Sequence, residues 1–214
     1  MPTESAEEQG NIAIIGRQAI VDERRAVFGY ELFDRSTAHD AHTAASDAAL
    51  LFNALSYADT ETLVGRKLVF INCTHDSLAG GHLELIHPDK VVLEVPTLHD
   101  KATAEDIASR LPTFETLRQR GFRLAFDQRA LMPPYVSWLQ HATFIKLDMA
   151  AFRPELCAPL VKHVRLHAPK AQIVAEKVET AEQHERMSQL GVKLFQGYWF
   201  AKPSIVKAQT IRPS

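Results

Sequence analysis

Short apolar runs, each closed by a polar and usually acidic residue, recur along the chain. Val27–Tyr30 ends at Glu31, Leu68–Ile71 at Asn72, Val91–Leu93 at Glu94 and Phe122–Phe126 at Asp127. Ala142–Leu147 carries Lys146 near its end with Asp148 just beyond, Gln172–Ala175 leads into Glu176, and Val192–Phe195 into Gln196. Runs of this length, rich in β-branched and aromatic residues, read as strands. Segments with helical spacing lie between them. Ser46–Leu63 places apolar residues at Ala49, Leu50, Phe52, Leu55 and Ala58. Ala104–Arg120 should be divided or kinked by Pro112, with Gly121 as its C-terminal cap. Pro154–His167 sets Leu156, Leu160, Val161 and Val164 on one stripe. Thr180 and Gln183 form a capping box that opens a helix running to Gly191. Near the start, the charged segment Asp22–Ala26 separates Ile12–Val21 from Val27–Phe33 and reads as a hairpin turn.

Strands alternating with helices predict a largely parallel sheet. Eight strand candidates in 214 residues favour a closed, modified TIM-type (β/α)8 barrel over an open doubly wound sheet. The expected division is a polar tail over 1–11, a barrel domain over 12–206, and a C-terminal tail or linker start over 207–214. In such barrels the active site lies at the C-terminal ends of the strands. That rule gathers Glu31, Asn72, Glu94, Asp127, Lys146, Asp148, Glu176 and Gln196 at one mouth. Because side chains alternate along a strand, Lys177 is expected to point away from Glu176.

Composition narrows the classes. With 46% hydrophobic and 23% charged residues the chain can bury a sizeable core. A formal net charge of -2 carries no footprint for DNA. No run approaches the roughly 18 apolar residues of a membrane span, and Met1–Asn11 lacks the features of a signal peptide. Two cysteines, Cys73 and Cys157, are too few for a disulfide framework and suit a reducing cytoplasm. Cys73 is expected to be a buried strand-end thiol and His75 a loop residue. His163 and His167 are expected on a solvated helix face, and Tyr135, Trp138 and Leu139 in packing.

Carboxylates crowded at one mouth repel unless protons or a cation neutralise them. Glu31, Asn72, Glu94, Asp127 and Glu176 offer only oxygen ligands, which suits Mg²⁺, Mn²⁺ or Ca²⁺ better than zinc. With Lys146 to hold a water or a phosphate oxygen, metal-assisted attack of water on a phosphodiester is the matching chemistry. Spacing alone leaves a second reading open, in which these are only solvated strand ends.

The segments Arg17–Val21 (RQAIV), Gly29–Arg35 (GYELFDR), Phe70–Asn72 (FIN), Val92–Val95 (VLEV), Leu124–Asp127 (LAFD), Phe144–Asp148 (FIKLD), Val174–Thr180 (VAEKVET) and Gln196–Pro203 (QGYWFAKP) follow one another in order. Together they resemble the EAL domain of cyclic di-GMP signalling, over almost the whole chain. Arg17–Arg35, Leu68–Leu78 and Pro88–Val95 look most like the EAL half of bacterial EAL–HDOD proteins. The resemblance implies a barrel that linearises cyclic di-GMP with two Mg²⁺ or Mn²⁺ ions. By position it implies Glu31, Asn72, Glu94, Asp127 and Glu176 as metal ligands. Lys146 corresponds to the lysine that orients the nucleophilic water, completing a catalytic set with Glu31 and Asp127. Gln18, Arg35, Asp148, Glu179 and Gln196 correspond to positions that hold the nucleotide.

Departures cluster at the chemistry. The signature Glu-Ala-Leu is Glu31-Leu32-Phe33, followed by Asp34. The family's Asp-Asp-Phe-Gly is Asp127-Gln128-Arg129-Ala130, and its glycine-rich loop is the glycine-free Leu131–Tyr135. Lys177 stands where a glycine is usual. Gln128 replaces a carboxylate with an amide that cannot offset the repulsion between two dications. The expectation is therefore a degenerate domain with weakened Mg²⁺ or Mn²⁺ binding, acting as a non-catalytic regulatory module on cyclic di-GMP, a protein partner or both. The alternatives are a working or weak cyclic di-GMP phosphodiesterase and a scaffold that binds protein partners only. Oligomeric state stays open.

Overall fold

The computed structural model describes residues 13–34, 65 and 67–208. The expected helix over Ser46–Leu63, the nucleotide-binding candidate Arg35 and both expected tails except 207–208 lie outside the described residues. In chain order the strands are β1 (Ala13–Asp22), β2 (Val27–Asp34), β3 (Leu68–Asn72), β4 (Val91–Val95), β5 (Arg123–Asp127), β6 (Phe144–Asp148), β7 (Gln172–Glu176), β8 (Leu194–Phe195) and β9 (Ser204–Ala208). The α-helices are α1 (His75–Leu78), α2 (Ala104–Ala108), α3 (Leu111–Gln119), α4 (Cys157–His167) and α5 (Ala181–Gln189).

Strands β2 to β8 run parallel in sequence order, and antiparallel β1 bridges β8 back to β2, closing an eight-stranded barrel. Strand β9 adds antiparallel to the first half of β1. The expected (β/α)8-type barrel is thus realised with its first strand reversed. Asp22 makes the β1–β2 hairpin possible: its carboxylate accepts from Arg24 N and Ala26 N, both at 2.9 Å.

A period of two sorts every strand. Ile20, Phe70, Val92, Ala125, Phe144, Val174 and Leu194 form one buried cluster. Neighbouring positions such as Ile71, Leu93, Phe126, Ile145 and Ala175 belong to a second cluster with Ile107, Phe114, Val161 and Met187 of the helices. Gly29 leaves room for the first of these layers, because a Cβ there would sit 2.8 Å from Leu68 O and 3.1 Å from the Phe70 ring.

The helix signals behave as the residues dictate. Pro112 lies in the first turn of α3, where its missing N–H costs nothing, and the segment divides into α2 and α3. Gly121 follows α3 at φ +94°, and Thr180 and Gln183 cap α5 reciprocally. The stripe Pro154–His167 starts as one 3₁₀ turn, Pro154–Leu156, before α4.

Trp138 and Leu139 are buried as expected, and Tyr135 packs on the Trp138 ring at 4.9 Å. Cys73 and Cys157 are both buried. His75, expected in a loop, instead opens α1 behind the Thr74 cap. The expectation of a solvated His163 also needs correction: its Nε2 lies 3.0 Å from Leu131 O and its ring stacks 4.3 Å from His167. Among the described residues no helix is long and apolar enough to cross a membrane.

Candidate functional site

Moving two residues toward the mouth from the inner apolar layer gives the candidate site. Phe70 leads to Asn72, Val92 to Glu94, Ala125 to Asp127, Phe144 to Lys146, Val174 to Glu176 and Leu194 to Gln196. On β1, which runs the other way, Ile20 leads back to Gln18. All of these polar residues line one cleft of about 580 Å³, together with Glu31, Phe33, Glu179 and Tyr198. That volume lies in the ordinary range for small-molecule sites.

At the centre stands Lys146, only 5% exposed. Its Nζ lies 2.7 Å from Glu94 Oε2, 3.0 Å from Glu31 Oε2 and 3.0 Å from Glu176 Oε2. Burial disfavours the ammonium, but the three carboxylates outweigh it and hold the Lys146 pKa well above the lysine range. The glutamates respond differently. Glu31 has burial against it, yet Lys146 and the donors Gln196 and Asn72 bring its pKa below the usual value. Asn72 Nδ2 donates to Glu31 Oε1 at 3.0 Å, and Gln196 Nε2 to Glu31 Oε2 at 2.7 Å. Among the described residues Glu94 receives only the Lys146 ammonium, and burial with the neighbouring Glu31 charge pushes its pKa up to about 8. Burial also raises Glu176.

Two buried oxygens at this site, Glu94 Oε1 and Gln196 Oε1, have no hydrogen-bond partner among the described residues. An orphaned carboxylate oxygen beside Glu31, Asn72 and Glu176 fits a hard cation in its chemistry. In their present positions the three glutamates are spread around Lys146. Among the described residues no three His, Cys, Asp or Glu side chains are grouped to hold a metal ion.

The second half of the mouth is organised otherwise. Asp127 ends β5 and caps the 3₁₀ turn Gln128–Leu131, accepting from Arg129 N at 2.8 Å. The Arg129 side chain folds back on the same carboxylate, Nε at 2.9 Å and Nη2 at 2.6 Å from Oδ2. Gln128 Oε1 accepts from Asp148 N at 3.1 Å. Asp148 in turn receives Ala150 N and, at 2.6 Å, the Lys177 ammonium.

Lys177 corrects the sequence reading. Strand alternation was expected to turn it away from Glu176, yet both residues line the same cleft. Its φ of +55° ends the strand geometry one residue past Glu176, so the alternation rule stops applying there. The glycine usual at this position in the family pattern suits the same left-handed backbone.

Gln18, Glu179 and Gln196 border the cleft, whereas Asp148, expected at the same mouth, is not among its lining residues. Gln196 Nε2 also reaches Gln18 Oε1 at 3.3 Å, tying β1 to the residue after β8. Gly197 beside it is irreplaceable in this geometry. At φ +154° it would carry a Cβ 2.1 Å from Val178 O. Sequence reasoning passed over Arg129 as a site residue. The available signal was a cation two positions after a strand-end aspartate.

The EAL domain family model matches residues 82–203, more than half of the chain, and the chain belongs to that family. Over 206 residues it is 28% identical to cyclic di-GMP phosphodiesterase CdgJ of Vibrio cholerae, covering 93% of this chain and 46% of the relative. It is 25% identical over 204 residues to the Bacillus subtilis protein YuxH, covering 92% and 49%. The chain therefore spans about half the length of these curated relatives. Its fold is similar to Klebsiella pneumoniae BlrP1 in a manganese and cyclic di-GMP complex, with a TM-score of 0.69 at 20% identity over 96% of this chain and 59% of that one. Bacillus subtilis YkuI, solved with cyclic di-GMP and calcium, gives a TM-score of 0.70 at 19% identity, covering 94% and 56%.

Proposed function

We propose that this chain is a degenerate EAL domain acting as a regulatory module in cyclic di-GMP signalling, binding the nucleotide, a protein partner or both, without efficient hydrolysis. The observation that carries this reading is the pairing of most carboxylates at and beside the mouth with the protein's own cations. Lys146 holds Glu31, Glu94 and Glu176, Arg129 holds Asp127, and Lys177 holds Asp148. Gln128 supplies an amide at a position where the family carries a second aspartate.

The residues present fit one hard cation better than two. Glu31, Asn72, Glu94 and Glu176 would hold it, with Glu94 Oε1 as the oxygen now lacking a partner. When bound, such an ion polarises a phosphoryl oxygen and lowers the pKa of a bound water. The chain's own residues do the remaining work. Lys146 neutralises charge at the floor, Gln18 and Gln196 present amides at one wall, and Glu179 and the exposed Tyr198 border the opening. A second ion on the Asp127 side would have to displace Arg129 without help from a carboxylate at 128. Losing a metal-site interaction that strengthens in the transition state costs tenfold in rate for each 1.36 kcal/mol.

One observation favours the second reading, a weak metal-dependent cyclic di-GMP phosphodiesterase. The first-ion residues are intact, and the relative from Vibrio cholerae is named for that activity. Calorimetric titration with cyclic di-GMP, with and without Mg²⁺ or Ca²⁺, separates nucleotide binding from a scaffold that binds only proteins. A turnover assay on the same preparation separates the regulatory module from the enzyme.

A further inference from the structure

We propose that Arg129 and Lys177 are internal counter-ions that hold Asp127 and Asp148 and limit the cleft to a single divalent cation. The proposal rests on the reading of the site as a one-ion, degenerate EAL centre, and assigns part of that degeneracy to two residues other than Gln128.

Three observations converge. First, the cations are built onto the carboxylates. Arg129 makes two side-chain contacts and one backbone contact with Asp127, and Lys177 Nζ lies 2.6 Å from Asp148 Oδ2. Planar guanidinium binding to a carboxylate oxygen through two nitrogens fixes direction as well as charge. The short 3₁₀ turn puts Arg129 within reach, because Asp127 is both its cap and its partner.

Second, the pairs decide the charge of the mouth. Leaving aside Glu94, whose pKa is pushed up to about 8, the lining residues Glu31, Asp127, Glu176 and Glu179 face Arg129, Lys146 and Lys177, four acids against three cations. Without Arg129 and Lys177 the count would be four against one, a field that attracts a dication more strongly.

Third, the fold does not require either side chain. They are 64% and 61% exposed, and Lys177 occupies a left-handed backbone position that glycine adopts without strain. A long cation held at a strained position on the rim of an acidic cleft is explained by what it neutralises.

Exposed ion pairs are individually weak, so the effect is graded rather than absolute. The test is titration of Mn²⁺ alone, in the absence of nucleotide, into the unaltered chain, Arg129→Gln, Lys177→Gly, the double variant and Arg129→Lys. The double variant is expected to bind Mn²⁺ roughly three- to tenfold more tightly than the unaltered chain, or to gain a second site. Arg129→Lys is expected to lie between the unaltered chain and Arg129→Gln, because the charge is kept while the two-nitrogen grip is lost, and raising the salt concentration should narrow the differences. Superimposable Mn²⁺ isotherms for the double variant and the unaltered chain would overturn the proposal. So would an Arg129→Lys isotherm that matches Arg129→Gln. Cyclic di-GMP turnover by the unaltered chain tests the non-hydrolytic reading on its own, so either idea can fail without the other.

Discussion

Lys146 Nζ sits 2.7 Å from Glu94 Oε2 while the other Glu94 oxygen, itself buried, has no hydrogen-bond partner among the described residues. One ammonium thus serves three glutamates and leaves one of them half satisfied. Removing a partner from a buried ion cluster leaves uncompensated charge, at a cost of about 3–5 kcal/mol. Lys146→Met should therefore lose stability on that scale in urea unfolding with chelator present. Added Mg²⁺ should restore part of it, since a dication satisfies the same three carboxylates. Unchanged stability would show that the glutamates relax outward at little cost.

Gln128→Asp returns a carboxylate to the mouth. A unit charge about 5 Å from a dication contributes about 1.7 kcal/mol even at the dielectric of water, which is more than tenfold in affinity. The variant also loses the reach of the amide to Asp148 N, a bond of 3.1 Å in this structure. Mn²⁺ affinity should rise about tenfold while the melting temperature falls slightly. A flat Mn²⁺ response would mean that the lesion lies elsewhere in the mouth.

Gly197 places Gln196 and Tyr198 around the opening. A methyl group there meets Val178 O at 2.1 Å and Val178 N at 2.3 Å, both rigid backbone atoms. Gly197→Ala should destabilise by about 1–3 kcal/mol, the usual cost of overpacking, and weaken any ligand the cleft takes. Thermal melting and ligand titration check the two consequences separately.

His75 supplies a pH dependence outside the acidic cleft. Burial lowers its pKa from the ordinary 6.5, only partly opposed by the Pro96 carbonyl 2.9 Å from Nε2. The folded chain then binds this proton less tightly than the unfolded chain does. Its stability is full above about pH 6.5 and declines as pH falls below that value. Burial gives His141 and His184 the same direction. Glu94, raised to about 8, and Glu176 contribute in the opposite direction over the same window in both proteins, so the readout is a difference: from pH 7.5 to 5.5 the urea midpoint of the unaltered chain should fall relative to that of His75→Gln. An equal change in both proteins would remove His75 as a cause.

Most of the barrel was legible because a strand's period of two is strict. Polar residues closing the strand-like runs, with the rule that barrel sites lie at the C-terminal strand ends, put Asn72, Glu94, Lys146, Glu176 and Gln196 together. The ordered motifs carried the family. Legibility stopped where the strands stop. Arg129 sits in a 3₁₀ turn whose side-chain directions no simple period supplies, and Lys177 leaves the strand at positive φ. The division of labour among Glu31, Glu94 and Glu176 was also hidden, because it depends on how many donors each one meets.

The most direct measurement is turnover of cyclic di-GMP by the purified chain with Mg²⁺ and with Mn²⁺, followed by separation of cyclic and linear products. A paired-cation, one-ion mouth predicts no linear product above the uncatalysed background over hours. Metal-dependent linearisation at about 1 s⁻¹ or faster, within the common range of enzymes, would contradict it.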